Sequence, residues 1–162
     1  MGINRDYAKQ LIKAVTEHGI KGRCLSLGRQ TTYLSVHAIL ELMLEYGLAK
    51  GVEGTDVALH AREEAIVKRR AADGSLLSNN PNHRKKGLIS DALFFNLIGF
   101  DELKSVDIDS FEGADYLFDM NTEGIGAVIG EPVDMVIDVG TLEHIFHLPN
   151  VFRNIFEALA VG

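Results

Sequence analysis

Small polar and acidic residues recur in this sequence directly after short apolar runs. Gly28-Arg29-Gln30 follows CLSL, Asp107-Ile108-Asp109 follows LKSV, Asp119-Met120-Asn121 follows ADYLF, and Asp138-Val139-Gly140-Thr141 follows DMVI. Side chains just past the carboxyl ends of parallel strands face the crevice in which open α/β sheets hold ligands. Carboxylates in such a crevice accept hydrogen bonds from hydroxyl and amino groups and attract cations. Glu143, His144 and His147 form a second cluster, EHIFH. Glu143 and His147 are spaced to share a helix face, but His144 would point away from Glu143. No cysteine or other close acid–histidine pair completes a shell, so no metal is expected. His144 suits a general base or acceptor-positioning group beside a cavity, or a histidine that merely hydrogen-bonds in its loop.

Composition narrows the class of ligand. Residues 1–86 hold 14 Lys/Arg against 9 Asp/Glu, whereas residues 87–162 hold 2 against 14. An acidic second half disfavours nucleic acid, whose binding rests on phosphate neutralisation, and suits a ligand with positive charge. At 162 residues, with 46% hydrophobic content, the chain can bury one core, and the single Cys24 excludes an intramolecular disulfide. No apolar run approaches the roughly 20 residues of a membrane span, so no membrane partner is expected. The start, MGINRDYAKQLIKAV, has no apolar signal region, and a cytoplasmic location is the expectation.

The elements that must position these residues alternate. Apolar spacing predicts helices over 4–18, from Thr32 to about Gly47 and over Asp56–Arg70. ADGSLLSNNPNHRKKG reads as a loop, and its Arg84, Lys85 and Lys86 fit a solvated turn, a lid or a contact for an anionic acceptor. Ser90 caps a helix over DALFFNLI, closed by Gly99. RCLSL, LKSVDID, ADYLFDM and PVDMVIDV read as strands, the last buried on both faces. A final helix follows Pro149, with Val151, Phe152, Ile155, Phe156 and Leu159 as its expected buried face. Together they predict an α/β fold, a doubly wound and mostly parallel sheet, in a single domain over 1–162.

DMVIDVGTLEHIFHLPNVFRNIFEALAVG resembles the fourth strand and following helix of class I S-adenosylmethionine-dependent methyltransferases. KSVDIDSFEGADYLFDMN is similar to their second and third strands. The resemblance runs from about Leu88 to Gly162, is weaker over Arg23–Gly47, and lapses over about 50–87, implying an insertion in the first crossover. It implies a Rossmann-like methyltransferase fold, S-adenosylmethionine as cofactor, and methyl transfer to an acceptor that the sequence does not name. Asp107, with Ile108 beside it, would then bind the ribose hydroxyls, and Asp119 with Met120 the adenine edge, although these two equally fit a turn acid and a core methionine. Gly28, Arg29, Gln30, Asp138, Gly140 and Thr141 would supply the cofactor-facing turns.

The family pattern of an acid followed by Gly-x-Gly-x-Gly survives here only as Gly28, with Ser26 at the acid and Gln30 and Thr32 at the later glycines. S-adenosylmethionine carries no pyrophosphate that backbone must approach, so Gln30 and Thr31 are expected to hydrogen-bond its amino-acid tail. The family core has seven strands in the order 3-2-1-4-5-7-6, so this chain reads as the cofactor-binding portion, truncated after the fourth. Asp134–Val139 would then be a flat apolar edge, expected to pair with a second copy in a homodimer or to be covered by another segment such as helix 4–18. The alternative is a non-catalytic methyltransferase-like domain that binds a partner or regulates. A nicotinamide-dependent enzyme is disfavoured because Gly-x-Gly-x-x-Gly is absent.

Overall fold

The structure, a computed structural model, describes residues 2–46, 77–78 and 80–161. The helix expected over Asp56–Arg70 and most of the stretch 50–87 lie outside them. The chain divides into two compact units, one built on Gly2–Gly19 with Thr31–Ile98 and the other on Ile20–Gln30 with Gly99–Gly162.

In the first unit, strand β1 (Gly2–Ile3) pairs in parallel with β3 (Thr31–Thr32). Helix α1 (Arg5–His18) begins where Asn4 Oδ1 accepts from the Tyr7 amide and ends at Gly19, whose φ of 64° is left-handed. Helix α2 is Val36–Glu45, four residues shorter at its start than the apolar spacing predicts. The β-branched Thr31 and Thr32 are drawn into a strand pair, and Ser35, accepting from the Ala38 amide at 3.2 Å, sets the true start. The predicted loop contains one helical turn, α3 (Pro81–Lys85), capped by Asn80 and opened by proline. Helix α4 (Asp91–Ile98) starts at Ser90, which accepts from the Leu93 amide at 3.1 Å, and buries Leu93, Phe94, Phe95 and Ile98.

The second unit is a four-stranded, all-parallel sheet of β2 (Gly22–Leu27), β4 (Phe100–Asp107), β5 (Tyr116–Leu117) and β6 (Met135–Asp138), in the spatial order β5-β4-β2-β6. Counted along the chain, that order is third, second, first, fourth, which is compatible with a Rossmann-like fold. Central β2 pairs on both edges, and Cys24 to Leu27 are each at most 1% exposed. Burial pushes the Cys24 thiol up to about 12, so it is an inert packing group. The connection from β4 to β5 spans 108–115 without a helix, and its end is fixed by Asp115, which accepts from the Ser105 amide and hydroxyl at 2.9 Å each.

Helices α5 (Gly126–Ile129) and α6 (Leu148–Ala158) cover a core of Leu25, Leu27, Val106, Met120, Ile125, Ile129, Val133, Val151 and Ala158. Full burial of each large member contributes roughly 1.5–3 kcal/mol. The expected buried face of α6 is corrected by a rotation of the helix. Val151, Asn154 and Ala158 face the core, while Phe152 and Phe156 are 60% and 81% exposed. The cause is Asn154, which is fully buried and completely bonded. Its Oδ1 accepts from the Gly124 and Ile125 amides, and its Nδ2 donates to the Met120 and Thr122 carbonyls. A buried amide demands such partners, and these lie only in the 120–125 loop. Among the described residues no helix is long and apolar enough to cross a membrane.

Replacing Asn154 by Ala strands several buried backbone groups at once. We expect a loss of about 2–3 kcal/mol, since each orphaned group costs about 1–3 kcal/mol. The urea midpoint should fall with an unchanged m-value, and an unaltered midpoint would show that the clamp contributes nothing.

Candidate functional site

Strand β2 ends at Leu27, and the chain leaves through Gly28 at a left-handed φ of 72°. The Gly28 amide donates to the Val106 carbonyl at 2.8 Å, tying the end of β2 to the end of β4. Thr141 Oγ1 donates to the Leu27 carbonyl at 2.7 Å, tying in the segment after β6. A Cβ at position 28 would lie 2.9 Å from Thr141 Oγ1 and 3.7 Å from Asp107 Oδ2. Three strand ends thus converge where only glycine fits.

The rest of the turn is bonded to itself. Ser26 Oγ donates to the Gly28 carbonyl at 2.7 Å, and Gln30 Nε2 donates to the Leu27 and Gly28 carbonyls at 3.0 and 3.2 Å. Gln30 is 8% exposed and does not line the cavity described next, so its amide braces the turn instead of reaching outward. Thr31, expected beside it, pairs with Gly2 in the other unit. Arg29 also stays out of the cavity lining.

A cavity of about 290 Å³ opens at the carboxyl ends of the strands. The structure brings together around it Asp107, Ile108, Asp119, Met120, Gly140, Thr141 and His144, all anticipated from the sequence, with Gly28 directly behind Thr141 and Asp107. Asp138 does not line it. Its carboxylate accepts from the Gly140, Thr141 and Leu142 amides, at 3.3, 2.8 and 3.2 Å, and so shapes the turn that presents its neighbours.

Asp107 stands on the rim with Oδ1 accepting from the Ile108 amide at 2.7 Å and no ion pair among the described residues. Asp119 Oδ1 accepts from the amide and then the side-chain Nδ2 of Asn121, at 2.9 and 2.7 Å, which holds its carboxyl below the usual range. Among the described residues two carboxylates and no Lys or Arg line the cavity, and the field of these residues favours a cation and opposes a phosphate.

Asn121, Leu27, Val106, Phe118 and Ile145 complete the wall, and of these Asn121 has the largest organising role. While its amide groups hold Asp119, its Oδ1 accepts from the Phe146 and His147 amides at 3.1 and 2.9 Å, and its carbonyl accepts from Asn150 Nδ2. Local spacing gives no sign of this, because the partners lie 25 to 29 positions away. His144 sits on a short 3-10 turn, Leu142–His144, whereas His147 caps α6, its Nδ1 accepting from the Asn150 amide at 3.3 Å. Glu143 and His144 therefore belong to the turn and His147 to the helix cap. Among the described residues no group of three or more His, Cys, Asp and Glu is placed to hold a metal ion.

Comparison with known proteins finds no matching family model, no matching curated protein and no matching solved structure.

Gly28→Ala forces a side chain into left-handed backbone and against Thr141, so we expect a loss of about 1–3 kcal/mol; an unchanged melting temperature would refute the tight convergence. Asn121→Ala should raise the pKa of Asp119 toward the ordinary carboxylate value, because both hydrogen-bond donors to the ionised form are weakened or lost. Carbon-detected NMR titration of the Asp119 carboxyl reads this directly, and an identical titration curve would show that Asn121 does not hold the charge.

Proposed function

We propose that the sheet unit binds S-adenosylmethionine, as the cofactor-binding portion of a doubly wound class I methyltransferase, for methyl transfer to a nucleophilic acceptor. The observation that carries this reading is a cavity at the strand ends lined by Asp107 and Asp119 and, among the described residues, by no basic side chain. Dinucleotides bring a pyrophosphate, which these carboxylates oppose, whereas a nucleoside sulfonium brings hydroxyls, an exocyclic amine and a positive charge. The strand order, third-second-first-fourth, supports the same reading by placing the cavity where the chain reverses direction across β2.

In this proposal the Asp107 carboxylate accepts from the vicinal ribose hydroxyls. Asp119, kept ionised by Asn121, and Met120 receive the adenine edge, by a hydrogen bond and by packing. The Gly140–Thr141 turn forms the floor. Bound there, S-adenosylmethionine supplies an electrophilic methyl group on sulfur. The chain's own part is to align the acceptor and exclude water, because displacement at a methyl carbon needs little else. His144 on the cavity wall, or water, would take up the proton that a protonated acceptor releases on methylation. A second reading, a non-catalytic partner-binding or regulatory domain, is favoured by the β2 turn, where Ser26, Gln30 and Thr141 are all bonded to turn carbonyls.

Calorimetric titration with S-adenosylhomocysteine tests the main reading, with a nicotinamide dinucleotide as the anionic control. We expect binding of the first and not of the second. Asp107→Ala should weaken binding by about 1.5–3 kcal/mol, the range for hydrogen bonds to a charged group, while Cys24→Ala should leave affinity unchanged. No heat with S-adenosylhomocysteine, or equal affinity for wild type and Asp107→Ala, would overturn the assignment.

A further inference from the structure

The turn after β2 spends its polar groups on itself. The Leu27 carbonyl accepts from Gln30 Nε2 and from Thr141 Oγ1, and the Gly28 carbonyl accepts from Gln30 Nε2 and from Ser26 Oγ. A carbonyl oxygen has two lone pairs, so the chain itself saturates both oxygens. The Gly28 amide is committed as well, to the Val106 carbonyl at 2.8 Å. Ser26 is fully buried and Gln30 nearly so, which makes these bonds costly to break in exchange for a ligand.

The other walls commit their donors in the same way. The Gly140, Thr141 and Leu142 amides donate to the Asp138 carboxylate, and the Ile108 amide donates to Asp107 Oδ1. Asn121 gives both its amide and its side-chain nitrogen to Asp119. The amides of Asp119 and Met120 adjoin the Asp119 carboxylate, whose charge opposes an anion beside it. His144, when neutral, offers one imidazole N–H, a single donor against two like charges. A carboxylate entering this cavity is therefore poorly received, whereas hydroxyls and amines meet the acceptor oxygens of Asp107 and Asp119. The volume of about 290 Å³ lies at the foot of the roughly 300–1,000 Å³ range of ligand pockets, which suits a compact group.

We propose that the cavity holds the nucleoside and the 5′ sulfur of its ligand and leaves an amino-acid tail unheld, so that its ligand class is the adenine nucleosides with a neutral or cationic 5′ group. This rests on the reading of the cavity as a nucleoside site. An α-amino-acid tail is zwitterionic: its carboxylate needs donors and its ammonium needs acceptors. The β2 turn, with its carbonyls saturated and the Gly28 amide bonded to Val106, is closed to both. The field of Asp107 and Asp119 still reaches a tail that lies in solvent. It attracts the ammonium and repels the carboxylate, and in the intact amino acid the two effects nearly cancel. Deleting the whole tail therefore costs little affinity, while deleting only its carboxylate leaves a net attraction.

Calorimetric titration of the full chain at low salt with three probes tests this. The probes are 5′-deoxy-5′-methylthioadenosine, which has no tail, S-adenosylhomocysteine, and S-adenosyl-3-thiopropylamine, which keeps the tail's amine without its carboxylate. The first two should bind within about threefold of each other and the third at least about threefold tighter, the scale of a solvent-screened charge interaction. Added salt should narrow that lead. S-adenosylhomocysteine binding tighter than methylthioadenosine beyond this margin would show an anchored tail, overturning the proposal while leaving the nucleoside reading in place. A thiopropylamine probe no tighter than S-adenosylhomocysteine overturns it as well. No heat from any of the three overturns the nucleoside reading and, with it, the proposal.

Discussion

The sheet unit depends on how closely its strand ends approach one another at Gly28. The Gly28 amide holds Val106, the Leu27 carbonyl receives Thr141, and Thr141 Oγ1 stands where a side chain at 28 would press. Because β2 is paired on both edges, fixing its carboxyl end also fixes the heights at which β4 and β6 stop. The cavity is the space left above that convergence. Its rim residues rest on the register of four parallel strands, with Phe118 to Asn121 following β5, and register in a buried sheet is strongly specified by which side chains must face the core.

Around this fixed centre the work of shaping falls to asparagine and aspartate, residues whose short side chains reach nearby backbone. Asp138 forms the turn after β6, Asp115 closes the loop before β5, Asn121 joins the loop after β5 to the start of α6, and Asn154 anchors that same loop from within the helix. Several carboxylates in this acidic half are therefore structural acceptors. Asp107 and Asp119 differ from them in lining open space, which is why the cationic preference of the cavity rests on just these two.

The strands and most helices were legible because each is announced by a local pattern: an apolar run ending in an acid or glycine, or a capping residue ahead of a periodic stretch. Ser90 caps its helix as its place ahead of DALFFNLI predicts. The strand-end residues of the cavity were legible for the same reason, since parallel order places successive carboxyl ends side by side. Three features were not. The strand pair at Thr31–Thr32 depends on a distant partner at Gly2, the facing of α6 depends on an asparagine satisfied 29 to 34 positions away, and Gln30 turns inward because carbonyls of its own turn require donors. Apolar periodicity alone ranked Phe152 and Phe156 as core, and a polar demand overruled it.

Two asparagines tie the cavity wall to the edge helix by different routes. Asn121 carries the connection from Asp119 to the backbone at 146–147, and Asn154 carries it from the middle of α6 to the carbonyl of Met120. A group seated in the cavity and a displacement of α6 thus bear on one support. Allosteric coupling across such a support is reciprocal by thermodynamic necessity. Whatever free energy a shifted α6 imposes on the cavity wall, an occupied cavity imposes on the setting of α6.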